Sequence, residues 1–118
     1  MTDNSSLNNY AIYGDTTKAI SNGRLVLTTT NNQYWILIRW GGNFKPISEL
    51  QGNVIKFKCD FECEQEVTFE SNVNNTLQNT STNGEVSMTV PSNATSAYFS
   101  IKSQNTIIYI NNIQICKR

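Results

Sequence analysis

The chain has 118 residues, with nine basic and nine acidic side chains, so its formal net charge at pH 7 is zero. It contains no histidine, which excludes Ser-His and Cys-His catalytic relays and His-bearing zinc sites. Nine scattered Lys and Arg residues lack the basic footprint of a nucleic-acid binder. No apolar run approaches the ~20 residues that span a bilayer, so we expect no membrane insertion.

The charged fraction is only 15%, against roughly 25% in an average soluble domain. Asn, Thr, Ser and Gln together supply 47 of the 118 residues. The hydrophobic fraction of 38% suffices for one core, and we predict a single domain over residues 1–118. A neutral surface rich in amides and hydroxyls favours uncharged polyols over charged molecules as ligands.

Short apolar and aromatic runs alternate with clusters of Asn, Gly, Ser and Thr, a pattern typical of β-strands joined by turns. The segment from Glu70 to Gly84 has few apolar residues and predicts a long surface loop or a weak edge strand. A single helical turn is predicted at Pro46–Leu50, stopped by Gly52. Strands are predicted near residues 10–13, 17–20, 24–30, 33–40, 54–61, 66–71, 85–90, 97–102 and 107–116. Eight or nine short strands predict an all-β sandwich or barrel.

Residues 55–69 show period-2 alternation, with one apolar face interrupted by Gln65 and one charged face interrupted by Thr68. One strand of this length would be too long for a domain of this size, so we predict a reversal near Cys63. A three-residue hairpin loop would pair Phe61 with Val67 and Cys59 with Phe69. In residues 110–115 the apolar residues change from even to odd positions across two asparagines, which predicts a β-bulge.

Three segments of the chain match, in order, the motifs of a known family of domains. They are Leu50-Gln51-Gly52-Asn53 with the strand after it, the run from Glu85 to Ile101 with Pro91 after Val90, and the run from Tyr109 to Ile115. Residues 47–116 thereby resemble the second half of galactose-binding-like jelly-roll carbohydrate-binding modules, with an asparagine where the family usually has Asp. The resemblance implies an all-β jelly-roll β-sandwich of two antiparallel sheets with about 8–9 strands. It also implies a glycan or polysaccharide as the partner. Such modules occur in secreted glycoside hydrolases, cell-surface adhesins and viral tail proteins.

The segment from Tyr34 to Trp40 is the richest in candidate ligand contacts. On a regular strand Tyr34, Ile36, Ile38 and Trp40 share one face, which the aliphatic pair assigns to the core. The other face then carries Trp35 and Arg39, which would offer a flat ring to a sugar and hydrogen bonds to its hydroxyls. The alternative is that Trp35 packs under a loop and Arg39 extends to solvent. The predicted ligand-binding residues are Trp35, Arg39, Trp40, Tyr34 and Asn43.

Two tyrosines near the N-terminus, Tyr10 and Tyr13, are further candidates for stacking, although packing on the sandwich edge is the favoured explanation for them. Asp60, Glu62, Glu64 and Glu66 form an acidic row without an aromatic cleft, so we predict no catalytic residues. No cofactor is expected. A structural calcium ion at Asp60 or Glu62 is compatible with the resemblance, but the sequence does not define a metal site.

The three cysteines, Cys59, Cys63 and Cys116, form an odd set. Without histidine or a fourth cysteine a closed zinc site is not expected, and buried free thiols are the simplest interpretation. A disulfide across the predicted turn, or one from Cys116 to either partner, stays open.

Taken together, these observations predict a non-catalytic glycan-binding module of a larger extracellular, cell-surface or virion protein. The N-terminal residues show no signal segment, so the sequence fits a module of a longer exported chain, or a cytoplasmic protein. The alternative function is a structural or assembly module of a virion tail or adhesin, in which a sheet face contacts a protein partner. Neighbouring domains of a longer chain are then further partners.

Overall fold

The computed structural model describes residues 17–28, 34–103 and 105–117, with residues 17–21 and 34 described for their backbone only. The predicted strand at 10–13, and with it Tyr10 and Tyr13, lies outside these ranges. Nine strands occur within them: β1 Thr17–Ser21, β2 Arg24–Thr28, β3 Tyr34–Trp40, β4 Asn53–Glu62, β5 Val67–Val73, β6 Thr76–Ser81, β7 Glu85–Val90, β8 Ala97–Ser103 and β9 Ile107–Lys117.

The strands form two antiparallel sheets that pack face to face. One sheet has five strands in the order β1-β2-β9-β4-β7, and the other has four in the order β3-β8-β5-β6. The all-β jelly-roll sandwich predicted from the sequence is confirmed. The single helical turn is also confirmed, as a 3-10 turn at Ile47–Glu49.

Aromatic side chains from both sheets meet in the core between them. The ring centroids of Phe57 and Phe99 are 5.3 Å apart, and those of Phe61 and Phe69 are 4.9 Å apart. Large apolar side chains in such a core each contribute roughly 1.5–3 kcal/mol when fully buried. This core fixes which side of each sheet remains available to a ligand.

The predicted hairpin between Cys59 and Phe69 is wrong. The chain does reverse between Glu62 and Val67, but β4 and β5 join different sheets and do not pair. Their apolar faces oppose each other across the core, where Phe61 and Phe69 touch edge to face. Period-2 alternation identifies the buried face of each strand. The alternation is the same whether two strands pair in one sheet or face each other from two sheets, so it could not distinguish these arrangements.

The segment after β5 forms the weak edge strand that the sequence offered as the alternative to a long surface loop. Asn74 and Asn75 adopt positive φ angles of 53° and 61°, which suits a two-residue hairpin turn. The chain then returns as β6, an edge strand whose residues are nearly all exposed. Because β6 buries so little, it carries no apolar alternation, and the sequence therefore could not decide between an edge strand and a loop.

The bulge predicted in the last strand is confirmed. The register of β4 against β9 shifts between Lys58 and Asp60, and Asn112 has a φ of 53°. Its side-chain amide donates a hydrogen bond to Asp60 Oδ2 at 2.6 Å. An asparagine suits this position because its short polar side chain tolerates a left-handed backbone.

Candidate functional site

A bulge in β3 decides which of its side chains reach the surface. The register against β8 shifts between Ile36 and Ile38, so Trp35 pairs with Ile101 on the core side before the bulge. After the bulge Ile38 and Trp40 face the core, and Arg39 faces outward. The predicted division of this strand into two faces is therefore wrong before the bulge, where Trp35 and Ile36 have exchanged faces, and correct after it, for Ile38, Arg39 and Trp40.

Neither tryptophan is available as a stacking surface. Trp35 is 2% exposed and Trp40 is 1% exposed, and both belong to the hydrophobic core. Trp40 packs edge to face on Phe99 at 6.1 Å and donates its indole N–H to Glu49 at 3.2 Å. The prediction that a sugar stacks on Trp35 or Trp40 is contradicted by this burial, because a pyranose needs an open ring face.

The outer face of the four-stranded sheet is built from rows of residues that pair across the strands. Directly paired residues of antiparallel strands point to the same side, and successive outward rows are ~7 Å apart. The first outward row runs across all four strands and contains Arg39, Tyr98, Asn72 and Leu77. The second contains Ile36, Ser100, Glu70 and Thr80, and the third contains Lys102 and Thr68.

Arg39 lies between two aromatic rings at the edge of this face. Its guanidinium carbon is 4.9 Å from the ring centroid of Phe44 and 5.7 Å from that of Tyr98. Both rings are half-buried, so each also has accessible surface. Contacts of this kind favour a cation over an aromatic face and limit the orientations that the guanidinium can adopt.

The loop after β3 holds Phe44 in place through backbone hydrogen bonds. The N–H of Gly41 donates to the carbonyl of Lys45 at 2.7 Å, and the N–H of Phe44 donates to the carbonyl of Gly41 at 3.1 Å. The N–H of Lys45 donates to the carbonyl of Arg39 at 3.3 Å. The loop therefore folds back on the strand that carries Arg39.

Gly41 is required for that fold because it has a φ of 104° and lies against the loop before β8. A Cβ at this position would lie 2.4 Å from the carbonyl oxygen of Thr95. Any larger residue would have to displace backbone atoms.

Polar side chains surround a shallow cleft of about 200 Å³ beside Tyr98. Its lining residues are Glu70, Asn72, Tyr98, Ser100 and Lys102. The amide of Asn72 donates to Ser100 Oγ at 3.4 Å, and both side chains are buried at the floor of the cleft. Carboxylate, amide, hydroxyl and ammonium groups thus surround one aromatic ring, which is the combination that sugar hydroxyls and C–H faces require.

The remaining predicted ligand contacts have different outcomes. Asn43 is exposed in the loop next to Phe44, and Tyr34 lies in register with Lys102, although its side chain is outside the described residues. Phe44 and Tyr98 were not predicted. Tyr98 follows Ala97 in an alternating strand and has an outward parity, but only the position of Arg39 across the sheet identifies it as part of a site.

Two carboxylates of the acidic row, Asp60 and Glu62, bind side chains of neighbouring strands. Asp60 accepts the hydrogen bond from Asn112, and Glu62 forms an ion pair with Arg24 at 3.1 Å. Within the described ranges no three His, Cys, Asp or Glu side chains come together as a metal-binding group. The structural calcium ion therefore stays a prediction of the resemblance, without a ligand set at Asp60 or Glu62.

The three cysteines are free thiols in different environments. Cys59 is buried, Cys63 is half-buried and Cys116 is exposed. Burial raises the pKa of the Cys59 thiol to about 12, with a smaller contribution from the charge of Asp60. Burial also raises the pKa of Cys63, whose Sγ–H donates to the carbonyl of Gln65 at 3.0 Å. Only Cys59 matches the predicted buried thiol.

The described chain contains no helix long and apolar enough to cross a membrane. The sequence matches no protein-family model, and a search of curated proteins gave no significant match.

Several solved structures share the fold, including the following three. The xylan-binding module CBM86 from Roseburia intestinalis has a TM-score of 0.55 and 13% identity, over 95% of this chain and 92% of that one. The C-terminal CBM6 of LamC, a marine laminarinase from Zobellia galactanivorans, has a TM-score of 0.55 and 18% identity, over 94% and 95% of the two chains. A structure of accessory secretory proteins 1, 2 and 3 from Streptococcus pneumoniae has a TM-score of 0.55 and 11% identity, over 95% and 91%. The chain therefore has the jelly-roll sandwich fold found in carbohydrate-binding modules.

Proposed function

We propose that the chain is a non-catalytic carbohydrate-binding module, part of a larger extracellular, cell-surface or virion protein. The glycan binds on the outer face of the β3-β8-β5-β6 sheet. The observation that carries this proposal is the position of Arg39 between Phe44 and Tyr98, next to the polar cleft on that face. The similarity of the fold to xylan-binding and laminarinase-associated modules supports the same ligand class.

In the proposed complex the C–H face of a pyranose packs on the ring of Tyr98. The hydroxyls of the sugar exchange hydrogen bonds with Asn72, Ser100 and Glu70 around the ring. Phe44 extends the apolar surface at the edge of the sheet and fixes Arg39. Because the cleft is shallow and open, we expect weak binding by a single module.

The absence of catalysis is part of the proposal. The chain has no histidine, and Asp60 and Glu62 are already held by Asn112 and Arg24. The cleft itself offers one carboxylate, Glu70, whereas glycoside hydrolysis ordinarily uses a pair.

The test is binding of the module to a broad glycan array, with tetravalent display to raise the avidity. We expect binding that Tyr98→Ala abolishes and Tyr98→Phe retains, because the ring face is the contact. Tyr109→Ala is the matched control, since Tyr109 is a half-buried tyrosine of the other sheet that stacks under Arg24 at 4.4 Å. No binding to any glycan, or equal loss in the Tyr98 and Tyr109 variants, would contradict the proposal.

The alternative of a structural or assembly module predicts that the outer face is covered by another protein chain. Sedimentation velocity at two concentrations separates the two functions. A glycan-binding module of this size should remain monomeric at both concentrations, whereas an assembly module that pairs with itself should shift to a larger species at the higher one.

A further inference from the structure

We propose that the glycan is acidic and that Arg39 binds a uronic-acid carboxylate. This inference rests on the proposed glycan-binding function and specifies the chemical class of the ligand. It also differs from the expectation based on net charge, which favours an uncharged polyol, because a net charge of zero does not describe how the charges are distributed.

The described ion pairs lie on the five-stranded sheet. Arg24 pairs with Glu62, and Lys56 pairs with Glu85. On the opposite sheet, the described residues give Arg39 and Lys102 no ion-pair partner. The described charged residues of the three outward rows are two cations, Arg39 and Lys102, and one carboxylate, Glu70. This face thus carries an excess of positive charge although the whole chain is neutral.

Glu70 does not neutralise Arg39 across the face. Glu70 lies on β5 and Arg39 on β3, and β8 separates the two strands. Two strand spacings correspond to ~10 Å, and the residues also lie in different rows. The guanidinium is therefore left for a group that comes from outside the described chain.

The setting of Arg39 suits a planar anion. Its Nε is buried without a hydrogen-bond partner among the described residues, while the residue as a whole is only half-buried. The charge consequently meets solvent through Nη1 and Nη2, whose donors form a rigid fork that matches the two oxygens of a carboxylate. Partial desolvation by Phe44 and Tyr98 strengthens the attraction to an anion and raises the cost of leaving the cation unpaired.

The arrangement also places the anion beside the sugar-stacking ring. Arg39 and Tyr98 are paired residues of one row, whereas Lys102 lies four residues, and therefore two rows, further along β8. A carboxylate attached to a pyranose on Tyr98 would reach Arg39 in the same row, whereas the row of Lys102 is ~14 Å away. A neutral sugar would leave Arg39 without a counter-ion.

The experiment compares acidic polysaccharides with the same polymers after carbodiimide-mediated reduction of the carboxylates to alcohols. The probes are glucuronoxylan, polygalacturonate, alginate and hyaluronan, each with its reduced form, measured by affinity electrophoresis. We expect at least one acidic polymer to bind roughly tenfold to a hundredfold more tightly than its reduced form, as for a charge-assisted hydrogen-bonded pair. Arg39→Gln should remove this preference, and Arg39→Lys should restore only part of it because it lacks the planar fork.

Lys45→Gln is the matched control, since it removes an exposed positive charge from the neighbouring loop and should leave the preference unchanged. Equal affinity for acidic and reduced polymers, still abolished by Tyr98→Ala, would overturn the acidic ligand and keep glycan binding. Binding of none of these polymers by a module that binds the glycan array would overturn the acidic ligand alone, and binding in neither experiment would overturn both. Equal binding of dextran sulfate by wild type and Arg39→Gln, at the affinity of the acidic polymers, would show non-specific attraction and also overturn the inference.

Discussion

The carboxylate of Asp60 on β4 accepts a hydrogen bond from the amide of Asn112 on β9 across 2.6 Å, next to the register shift between these strands. The bond connects two central strands of the five-stranded sheet at the point where their ladder is irregular. A left-handed backbone and a polar contact therefore both depend on the asparagine at this bulge.

Replacing Asn112 should separate the contributions of its hydrogen bond and of its left-handed backbone to the stability of the fold. Asn112→Ala loses the hydrogen bond and places a Cβ residue in the left-handed region, so we expect a loss of about 2 kcal/mol in the free energy of unfolding. Asn112→Gly loses only the hydrogen bond and should cost about 1 kcal/mol. Urea denaturation measures both values, and equal losses in the two variants would show that backbone conformation contributes nothing.

Gly41→Ala should disturb the loop that holds Phe44 over Arg39. The added Cβ would meet the backbone of Thr95 at 2.4 Å, so we expect a destabilisation of more than about 2 kcal/mol. Gly42→Ala is the control, because Gly42 also has a positive φ but has no atom within 4 Å of the new Cβ. It should cost only about 1 kcal/mol. A thermal-unfolding comparison in which Gly42→Ala is the worse variant would contradict the predicted contact.

The buried thiol of Cys59 should make stability depend on alkaline pH. Its pKa is raised from 9.0 to about 12 in the folded chain, so between these values the unfolded chain has released a proton that the folded chain retains. Rising pH then favours unfolding, by about 1.4 kcal/mol per pH unit, and this contribution to stability is complete only below pH 9.

Cys59→Ala isolates this effect from the titration of other groups. The variant should be less stable than wild type at pH 8 because of the cavity, and the difference should shrink as the pH rises above 9. Urea denaturation at pH 8, 9.5 and 10.5 provides the measurement. A difference between the two proteins that stays constant over this range would mean that Cys59 is not protected in the folded state.

The edges of the two sheets are joined by side-chain amides. Gln78 of β6 donates to the carbonyl of Thr89 at 3.0 Å and accepts from its N–H at 2.5 Å, and Asn79 donates to the carbonyl of Ser87 at 2.7 Å. Gln78→Ala should cost about 1 kcal/mol and accelerate hydrogen exchange at the amide of Thr89. Thr80→Ala, on the outward face of the same strand, should leave that amide protected. Unchanged exchange in Gln78→Ala would show that the contact does not persist in solution.

The sequence predicted local structure correctly where a residue type favours one particular backbone conformation. Two consecutive asparagines marked the bulge of β9, and Pro46 and Gly52 enclosed the 3-10 turn. It was uninformative in β3, where only Arg39 is strongly polar and an apolar residue fits either face. A bulge there moves Trp35 into the core without any change in the alternation that the sequence displays.

The candidate site was predictable in part for a related reason. Arg39 was identified by its charge within an apolar strand, but its neighbours come from other parts of the chain. Phe44 reaches Arg39 through a glycine-dependent loop, and Tyr98 reaches it through strand pairing. Neither relationship has a local pattern, because pairing between distant strands is set by the packing of the whole sandwich.

The side-chain amides of Gln78 and Asn79 protect the edge of β7 from pairing with strands of other molecules. Both β6 and β7 are outermost strands, and the backbone groups of such strands ordinarily recruit further strands from other molecules. At Ser87 and Thr89 those groups are already occupied by side chains of the same molecule. If the proposed function is correct, copies bound side by side along one polysaccharide would therefore not join through this edge into a continuous sheet.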